Sequence, residues 1–191
     1  ITCVKPSGTV SQLCNSASGI HARHSEYYIR RVRMDGKDPL CKFMEAKGFP
    51  CEVDVMNNSN MVFSFPMQSP SKSIMRNDMP ALEQLQTWQM YAEHWCEHKP
   101  SVTISVREDE WVDVGAWVYE WFDCISGISF LPHSDHSYQQ APYEECDEQT
   151  YIELVSKIPM ITWNELSDYE KEDYTTSSQE LACTGNACEV I

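Results

Sequence analysis

Positive charge is scarce in this chain: 14 Lys and Arg stand against 29 Asp and Glu, a formal charge of −15 and an isoelectric point near 4.6. A nucleic-acid backbone binds clustered positive surface, so that balance argues against a nucleic-acid ligand. Long apolar runs are missing too. Nothing approaches the ~20 residues that span a bilayer, and Ile1-Thr2-Cys3-Val4 has no charged segment ahead of an apolar one, as a signal peptide would. No Walker A loop, no Cys-x2-Cys pair and no internal repeat is present, and position 1 is not Met. The last point predicts a chain that begins part-way through a longer protein. Nine cysteines are an odd number, which forbids complete internal pairing. The expectation is a reduced, cytoplasmic protein whose cysteines are mostly core filler.

What is there is uneven. Residues 1–50 carry eight bases (Lys5, Arg23, Arg30, Arg31, Arg33, Lys37, Lys42 and Lys47) and net +4, whereas the remaining 141 residues net −19. A small anionic ligand is therefore expected at the N-terminal quarter. Thr2-Cys3-Val4 reads as a short buried strand that runs into the turn Lys5-Pro6-Ser7-Gly8-Thr9, with a helix starting at Val10. Tyr27–Arg33, β-branched and aromatic, predicts a strand. Asp38-Pro39 caps a short helix that Gly48 ends, and period-two alternation in Cys51–Val55 and Met61–Phe65 around an Asn-rich turn predicts a hairpin. Residues 66–78 read as a Pro/Ser-rich connector.

From Pro80 a helix is expected with Leu82, Leu85, Trp88, Tyr91 (or Met90) and Trp95 as its apolar stripe. Ser101–Val106 as a strand, Asp109–Phe122 as a helix and Gly127–Leu131 as a strand then make a βαβ unit with parallel strands. Acidic helices are expected at 147–157 and 163–172, and a polar, mobile tail at 174–191.

Three groups of residues offer chemistry. In the Pro6–Val10 turn, Gly8 allows close backbone approach, Ser7 and Thr9 supply hydroxyls, and the following helix start offers N–H groups, which together suit a phosphate. The same features also describe an ordinary strand–helix turn. Cys183 and Cys188, with four residues between them, suit a thiol pair that exchanges with a disulfide elsewhere, or else a stray surface pair or half of a zinc site with no visible partner His. His133-Ser134-Asp135-His136, at the end of a parallel strand, suits ligand binding or acid–base work as well as a hydrogen-bonded loop. No third ligand is placed there by sequence, so no metal site is expected. His21-Ala22-Arg23-His24 adds positive charge near the turn and reads as a solvated loop. Cys3, Cys14, Cys41, Cys51, Cys96, Cys124 and Cys146 are expected to be inert.

Taken in order, Thr2–Ser11, Ser18-Gly19-Ile20-His21, Tyr27–Arg33, Gly127–His136, Gln140–Glu145 and the terminal Cys-x4-Cys closely resemble the adenosylcobalamin-dependent (class II) ribonucleotide reductases, most of all the monomeric ribonucleoside-triphosphate reductase branch. The resemblance covers nearly the whole chain. It implies an α/β fold that is the C-terminal part of a ten-stranded α/β barrel with a flexible C-terminal tail. On that basis residues 1–143 are the barrel portion with an inserted β-hairpin, 144–173 an acidic helical segment and 174–191 a redox tail. By the same analogy Pro6, Ser7, Gly8, Thr9 and Val10 hold the substrate's phosphates, and His133, Ser134, Asp135, His136 and Tyr138 help form the adenosylcobalamin site. Cys183 and Cys188 become the shuttle pair that re-reduces the active site and is itself reduced by thioredoxin. The activity implied is conversion of ribonucleoside triphosphates to 2′-deoxyribonucleotides by thiyl-radical chemistry.

The departures are as informative. The Asn-Pro-Cys-Gly-Glu type of finger loop, with the thiyl cysteine, is nowhere in residues 1–191, so this chain alone is expected to be inactive and to need the upstream remainder of the reductase. No Asp-x-His-x-x-Gly motif follows Asp135, which argues against cobalamin binding through a His ligand. Outside the resemblance, the residues also suit a non-catalytic phosphometabolite-binding module or a thiol-exchange protein.

Overall fold

In the computed structural model, which describes residues 2–133 and 138–172, the aromatic and β-branched run becomes strand β1, Tyr27–Asp35. Asp38 then caps helix α2, Pro39–Ala46, by accepting from the Leu40 N–H at 2.7 Å, with Pro39 in the first turn where no N–H is needed. Gly48 follows with φ +77°, the left-handed conformation that ends helices. Strands β2, Cys51–Val53, and β3, Asn60–Gln68, form the expected antiparallel hairpin.

β3 does not stop at Phe65. It continues through Pro66 to Gln68 and pairs with β1 along nine positions, from Tyr27↔Gln68 to Asp35↔Asn60. The proline is tolerated because β2 pairs only with Met61–Phe63, so the outer edge of β3 at Pro66 faces no strand that needs its missing donor. On the other side of β1 lies a strand that the sequence pattern did not announce, β6, Tyr143–Glu145. The sheet order is β2-β3-β1-β6, with every pairing antiparallel.

The described residues divide into two compact units. One, residues 27–68 with 138–172, holds this sheet. Its core is Cys41, Phe43, Met44, Phe49 and Phe63, and helix α5, Glu148–Lys157, is capped by Asp147 through the Thr150 N–H. The expected second acidic helix is a 3₁₀ segment, Trp163–Asp168, whose Trp163 ring lies 5.9 Å from Phe43.

The other unit, residues 2–26 with 69–133, holds helix α1, Val10–Leu13, helix α3, Ala81–His94, strand β4, Thr103–Val106, helix α4, Trp111–Glu120, and strand β5, Ser129–Pro132. β4 and β5 are parallel, as a strand–helix–strand crossover requires. Ala81, Leu85 and Trp88 of α3 share its core with Val102, Ile104, Val106 and Val114, and the Trp88 indole N–H donates to the Pro100 carbonyl at 3.0 Å. Gln84 completes the packing: its amide accepts from the Ser105 N–H and donates to the Ser105 carbonyl, covering part of the edge of β4.

The expected α3 stripe is longer than the buried one. Trp95 is 59% exposed and Met90 53%, because the helix ends at His94, so Trp95 leaves the stripe, and Met90 stands two residues from Trp88 on another face.

Thr2-Cys3-Val4 is a second difference. The Thr2 and Val4 carbonyls accept from the His98 and Ser101 N–H groups, but the segment forms no strand ladder and none of its three side chains is buried. Among the described cysteines only Cys41 is buried, while Cys3, Cys14 and Cys124 are exposed, so most are not core filler.

Candidate functional site

The Pro6–Val10 turn ends in a helix of only four residues, Val10–Leu13, so a helix dipole contributes little here. Nor does Thr9 cap that helix with its side chain. Ser7 takes the capping role instead, its Oγ accepting from the Ser11 N–H at 3.0 Å.

Ser7 is the most constrained residue of the turn. Its N–H donates to Ser18 Oγ at 2.8 Å, and its carbonyl accepts from the hydroxyls of Ser18 at 3.0 Å and Ser11 at 2.9 Å. The amides of Thr9 and Val10 and the Thr9 hydroxyl make no hydrogen bond among the described residues. Both residues are exposed, and the uncapped groups lie beside Ser7, whose position is fixed. Two backbone donors, a hydroxyl and the nearby Lys5 are a chemically sensible cradle for phosphate oxygens.

What fixes Ser18 in turn is His21. Its Nδ1 lies 2.8 Å from the Ser18 carbonyl and its Nε2 accepts from the Thr103 N–H at 3.1 Å. A ring nitrogen that accepts from an amide carries no proton, so the proton sits on Nδ1 and is donated to Ser18. Between them Gly19 has φ +60°, and a Cβ there would come within 3.0 Å of the Lys5 carbonyl oxygen. That close approach requires glycine.

Arg23 is buried as well. Its guanidinium donates to the Ser16 carbonyl, to Asn15 Oδ1 at 2.8 Å and to Ser69 Oγ at 3.2 Å. Residues 21–24 are thus a packed support of the turn rather than a solvated loop. His24, half-buried among these groups, has its pKa pushed down to about 4, first by burial and then by the Arg76 cation.

Much of the positive charge of the N-terminal quarter is taken up by the chain itself. On β1, Arg30 donates to the Pro142 carbonyl, Arg31 to Ala141 and Arg33 to Gln140. Arg30 also lies 4.7 Å over the Tyr143 ring, Arg31 pairs with Glu144, and Arg33 pairs with the buried Asp54. Lys47 pairs with Glu165. These charges hold the protein's own chain.

At the far end of β4 lies His133. Its N–H donates to the Val106 carbonyl at 2.7 Å, and its Nε2 lies 3.1 Å from Asn77 Oδ1. The Thr103 end of the same strand meets His21, so the structure sets His133 and the Ser7 turn at opposite ends of β4 and does not bring them together. Ser134, Asp135, His136, Cys183 and Cys188 lie outside the described residues. Tyr138 is 53% exposed. Among the described residues no group of three His, Cys, Asp or Glu side chains is placed to hold a metal ion.

Three thiols inside the fold are shifted away from the nucleophilic thiolate form. Burial, reinforced by Glu45, pushes Cys41 up to about 11, and burial also raises Cys51 and Cys146. No helix among the described residues is long and apolar enough to cross a membrane.

Sequence reading alone placed the turn but missed what holds it. Ser18 and His21 stood in a recognised motif, yet their partners are 11 and 82 residues away, and only Gly19 hinted at a tight corner.

No protein-family model matches the chain. Relatives by sequence are consistent with one another. The probable adenosylcobalamin-dependent ribonucleoside-triphosphate reductase of Dictyostelium discoideum is 28% identical over 196 residues, 100% of this chain and 25% of that protein. The adenosylcobalamin-dependent ribonucleoside-triphosphate reductases of Levilactobacillus brevis and Lactobacillus leichmannii are each 27% identical, over 99% of this chain and 26% of theirs. A crystal structure of a B12-dependent (class II) ribonucleotide reductase superposes with a TM-score of 0.74 at 27% identity, covering 86% of this chain and 24% of that one. The chain is thus similar along its whole length to reductases of this class and has the fold of part of one, and it spans about a quarter of their length.

Proposed function

We propose that this chain is the C-terminal quarter of an adenosylcobalamin-dependent ribonucleoside-triphosphate reductase, and that within it the Pro6–Val10 turn holds the phosphates of the ribonucleotide substrate. The observation that carries the reading is the match to such reductases, in sequence over the whole chain and in fold over 86% of it, by a chain that spans only a quarter of each. The geometry of the turn supports the assignment of Pro6, Ser7, Gly8, Thr9 and Val10: Ser7 is pinned by Ser18 and Ser11, and the adjoining Thr9 and Val10 amides are left without partners among the described residues. A triphosphate oxygen meeting both amides and the Thr9 hydroxyl gains charge-assisted hydrogen bonds without any reorganisation of the turn.

The cofactor assignment is supported by two observations: His133 Nε2 is engaged with Asn77 Oδ1 at 3.1 Å, and the Asp-x-His-x-x-Gly motif is absent, both of which favour contacts to the periphery of the cofactor over ligation of its cobalt. His133, Ser134, Asp135, His136 and Tyr138 are assigned to adenosylcobalamin on this basis and on the resemblance. When bound, the cofactor supplies the radical from which nucleotide reduction starts. The residues of this chain supply contacts to its periphery and the phosphate turn.

Cys183 and Cys188 are assigned as the shuttle pair that passes two electrons, as a dithiol becoming a disulfide, to the disulfide left by each turnover. Thioredoxin then returns the pair to the dithiol. The setting is cytoplasmic, where thiols are held reduced.

The test joins residues 1–191 to the upstream three-quarters and measures deoxynucleotide formation. Product that requires both adenosylcobalamin and the upstream part is expected. Product from residues 1–191 alone, or none from the joined protein, would overturn the reading.

A further inference from the structure

A chain of hydrogen bonds ties the phosphate turn to the first residue of β4. The Thr103 N–H, at the first residue of β4, donates to His21 Nε2. His21 Nδ1–H donates to the Ser18 carbonyl, and the Ser18 hydroxyl accepts from the Ser7 N–H while donating to the Ser7 carbonyl. One hydroxyl thereby holds both polar groups of one backbone residue, which fixes the peptide planes on either side of Ser7. The next residues along, Gly8, Thr9 and Val10, begin from that fixed point.

The chain of bonds has a direction. Every link needs His21 as the neutral ring with its proton on Nδ1, because a ring that donates from both nitrogens has no lone pair for the Thr103 N–H. It also needs Gly19 between Ser18 and His21, since a Cβ there would meet the Lys5 carbonyl oxygen at 3.0 Å with φ already at +60°. Neither Ser18 nor His21 needs to touch a phosphate for this to work. Thr103, moreover, sits in a strand whose inner residues, Ile104 and Val106, are wholly buried, so the anchor is rigid.

We infer that His21, acting through Ser18, is a positioning residue for the substrate's phosphates: it transmits the position of β4 to Ser7 and so sets the direction in which the Thr9 and Val10 amides point. This rests on the reading of Pro6–Val10 as the phosphate turn. Its mark is a loss of substrate binding with little loss of turnover, because a displaced turn weakens the grip on the triphosphate without touching the reacting carbons.

The experiment uses the joined reductase with a ribonucleoside triphosphate as substrate. His21→Phe keeps a flat ring and removes both bonds, and His21→Gln keeps an amide that can donate to Ser18 and accept from Thr103. Thr9→Val removes a proposed phosphate-binding hydroxyl and serves as the control for the turn itself. The expected result is that His21→Phe raises KM about tenfold with kcat within about twofold, that His21→Gln recovers most of the loss, and that Thr9→Val raises KM several-fold.

If Thr9→Val raises KM while His21→Phe leaves it unchanged, the positioning role is overturned and the phosphate turn stands. If Thr9→Val has no effect, the reading of the turn falls and the inference falls with it. If His21→Phe lowers kcat and leaves KM alone, or if Gln is no better than Phe, His21 is a structural residue only. Should His21→Phe fail to fold, Gly19→Ala displaces the same corner, and an unchanged KM in a folded Gly19→Ala enzyme would equally overturn the proposal.

Discussion

Two regions of this molecule handle buried positive charge in different ways. In the unit built on β4 and β5, the described acceptors of Arg23 are neutral, the Ser16 carbonyl, Asn15 Oδ1 and Ser69 Oγ. In the unit built on the antiparallel sheet, Arg31 and Arg33 each meet a carboxylate, Glu144 and Asp54, while Arg30 lies over the Tyr143 ring. The first arrangement fixes loop geometry through directed hydrogen bonds. The second neutralises charge and clamps three successive carbonyls, Gln140, Ala141 and Pro142, against β1. The difference bears on the proposed function because the region with neutral described partners also carries the Pro6–Val10 turn. A carboxylate placed there would repel the ligand the turn is proposed to hold, whereas serines and amides support the loop without competing for it.

The comparison breaks most visibly at Arg23. Replacing it with Met keeps much of the apolar stem but leaves buried Ser69 Oγ without this donor, and the exposed Ser16 and Asn15 lose their bonds to it. The buried acceptor costs roughly 1–3 kcal/mol and the two part-buried bonds about 0.5 kcal/mol each, so a total destabilisation of about 3 kcal/mol is expected. Denaturant unfolding of the joined protein at low and high salt checks it, and the loss is expected to be the same at both. A loss that shrinks in salt would mean that Arg23 is held by charge after all, and the contrast between the units would disappear.

How far all this was legible depended on how local the signals are. The Asp38-Pro39 cap, the Gly48 stop, the hairpin and the βαβ unit rest on spacings of a few residues, and the structure has them. β6 escaped notice because Tyr143-Glu144-Glu145 has no apolar alternation of its own, and it becomes a strand only because β1 offers a free edge. The extension of β3 through Pro66 was hidden by a residue that usually ends strands. Thr2–Val4 had strand composition but finds two backbone bonds and no ladder among the described residues. Arg23 looked solvated because single-sequence reading assigns charge to the surface, and one of its acceptors, Ser69, lies 46 residues away. The same holds at the candidate site: Ser7 and Gly8 identified a turn, but His21 became its support only through Thr103.

A second and smaller effect sharpens the comparison through pH. His24 sits where burial and Arg76 disfavour another cation, and its pKa falls from 6.5 to about 4. The unfolded chain therefore takes up a proton below pH 6.5 that the native state refuses until about pH 4. Stability is lost progressively as pH falls through that window and levels off below it. Allowing for partial exposure, the loss is about 2 kcal/mol. Unfolding of the wild type and of His24→Gln between pH 7 and 4 separates this from the carboxylates: the gap between the two proteins is expected to move by that amount in favour of the variant. Parallel curves would mean that His24 accepts its proton in the fold, and that the unit with neutral partners tolerates added charge.

The smallest effect belongs to the other unit, at the ion pair between β1 and β6. Glu144 is 36% exposed and its partner Arg31 12%, so water screens the pair and the Arg31 guanidinium retains the Ala141 carbonyl when the carboxylate is removed. Glu144→Gln is therefore expected to cost only about 0.5 kcal/mol at low salt. In 1 M salt, where the screening length is about 3 Å, the difference from wild type should vanish. Unfolding measured at both salt concentrations decides it. A loss as large as that of Arg23→Met would mean that the sheet depends on this ion pair as strongly as the phosphate-turn unit depends on Arg23. Carboxylate pairing would then be as structural as the neutral network. A small, salt-sensitive loss would favour repulsion of the proposed ligand as the reason for the contrast: carboxylates stand where removing one matters little to the fold, and the described acceptors near the turn, where an anion is proposed to bind, are neutral.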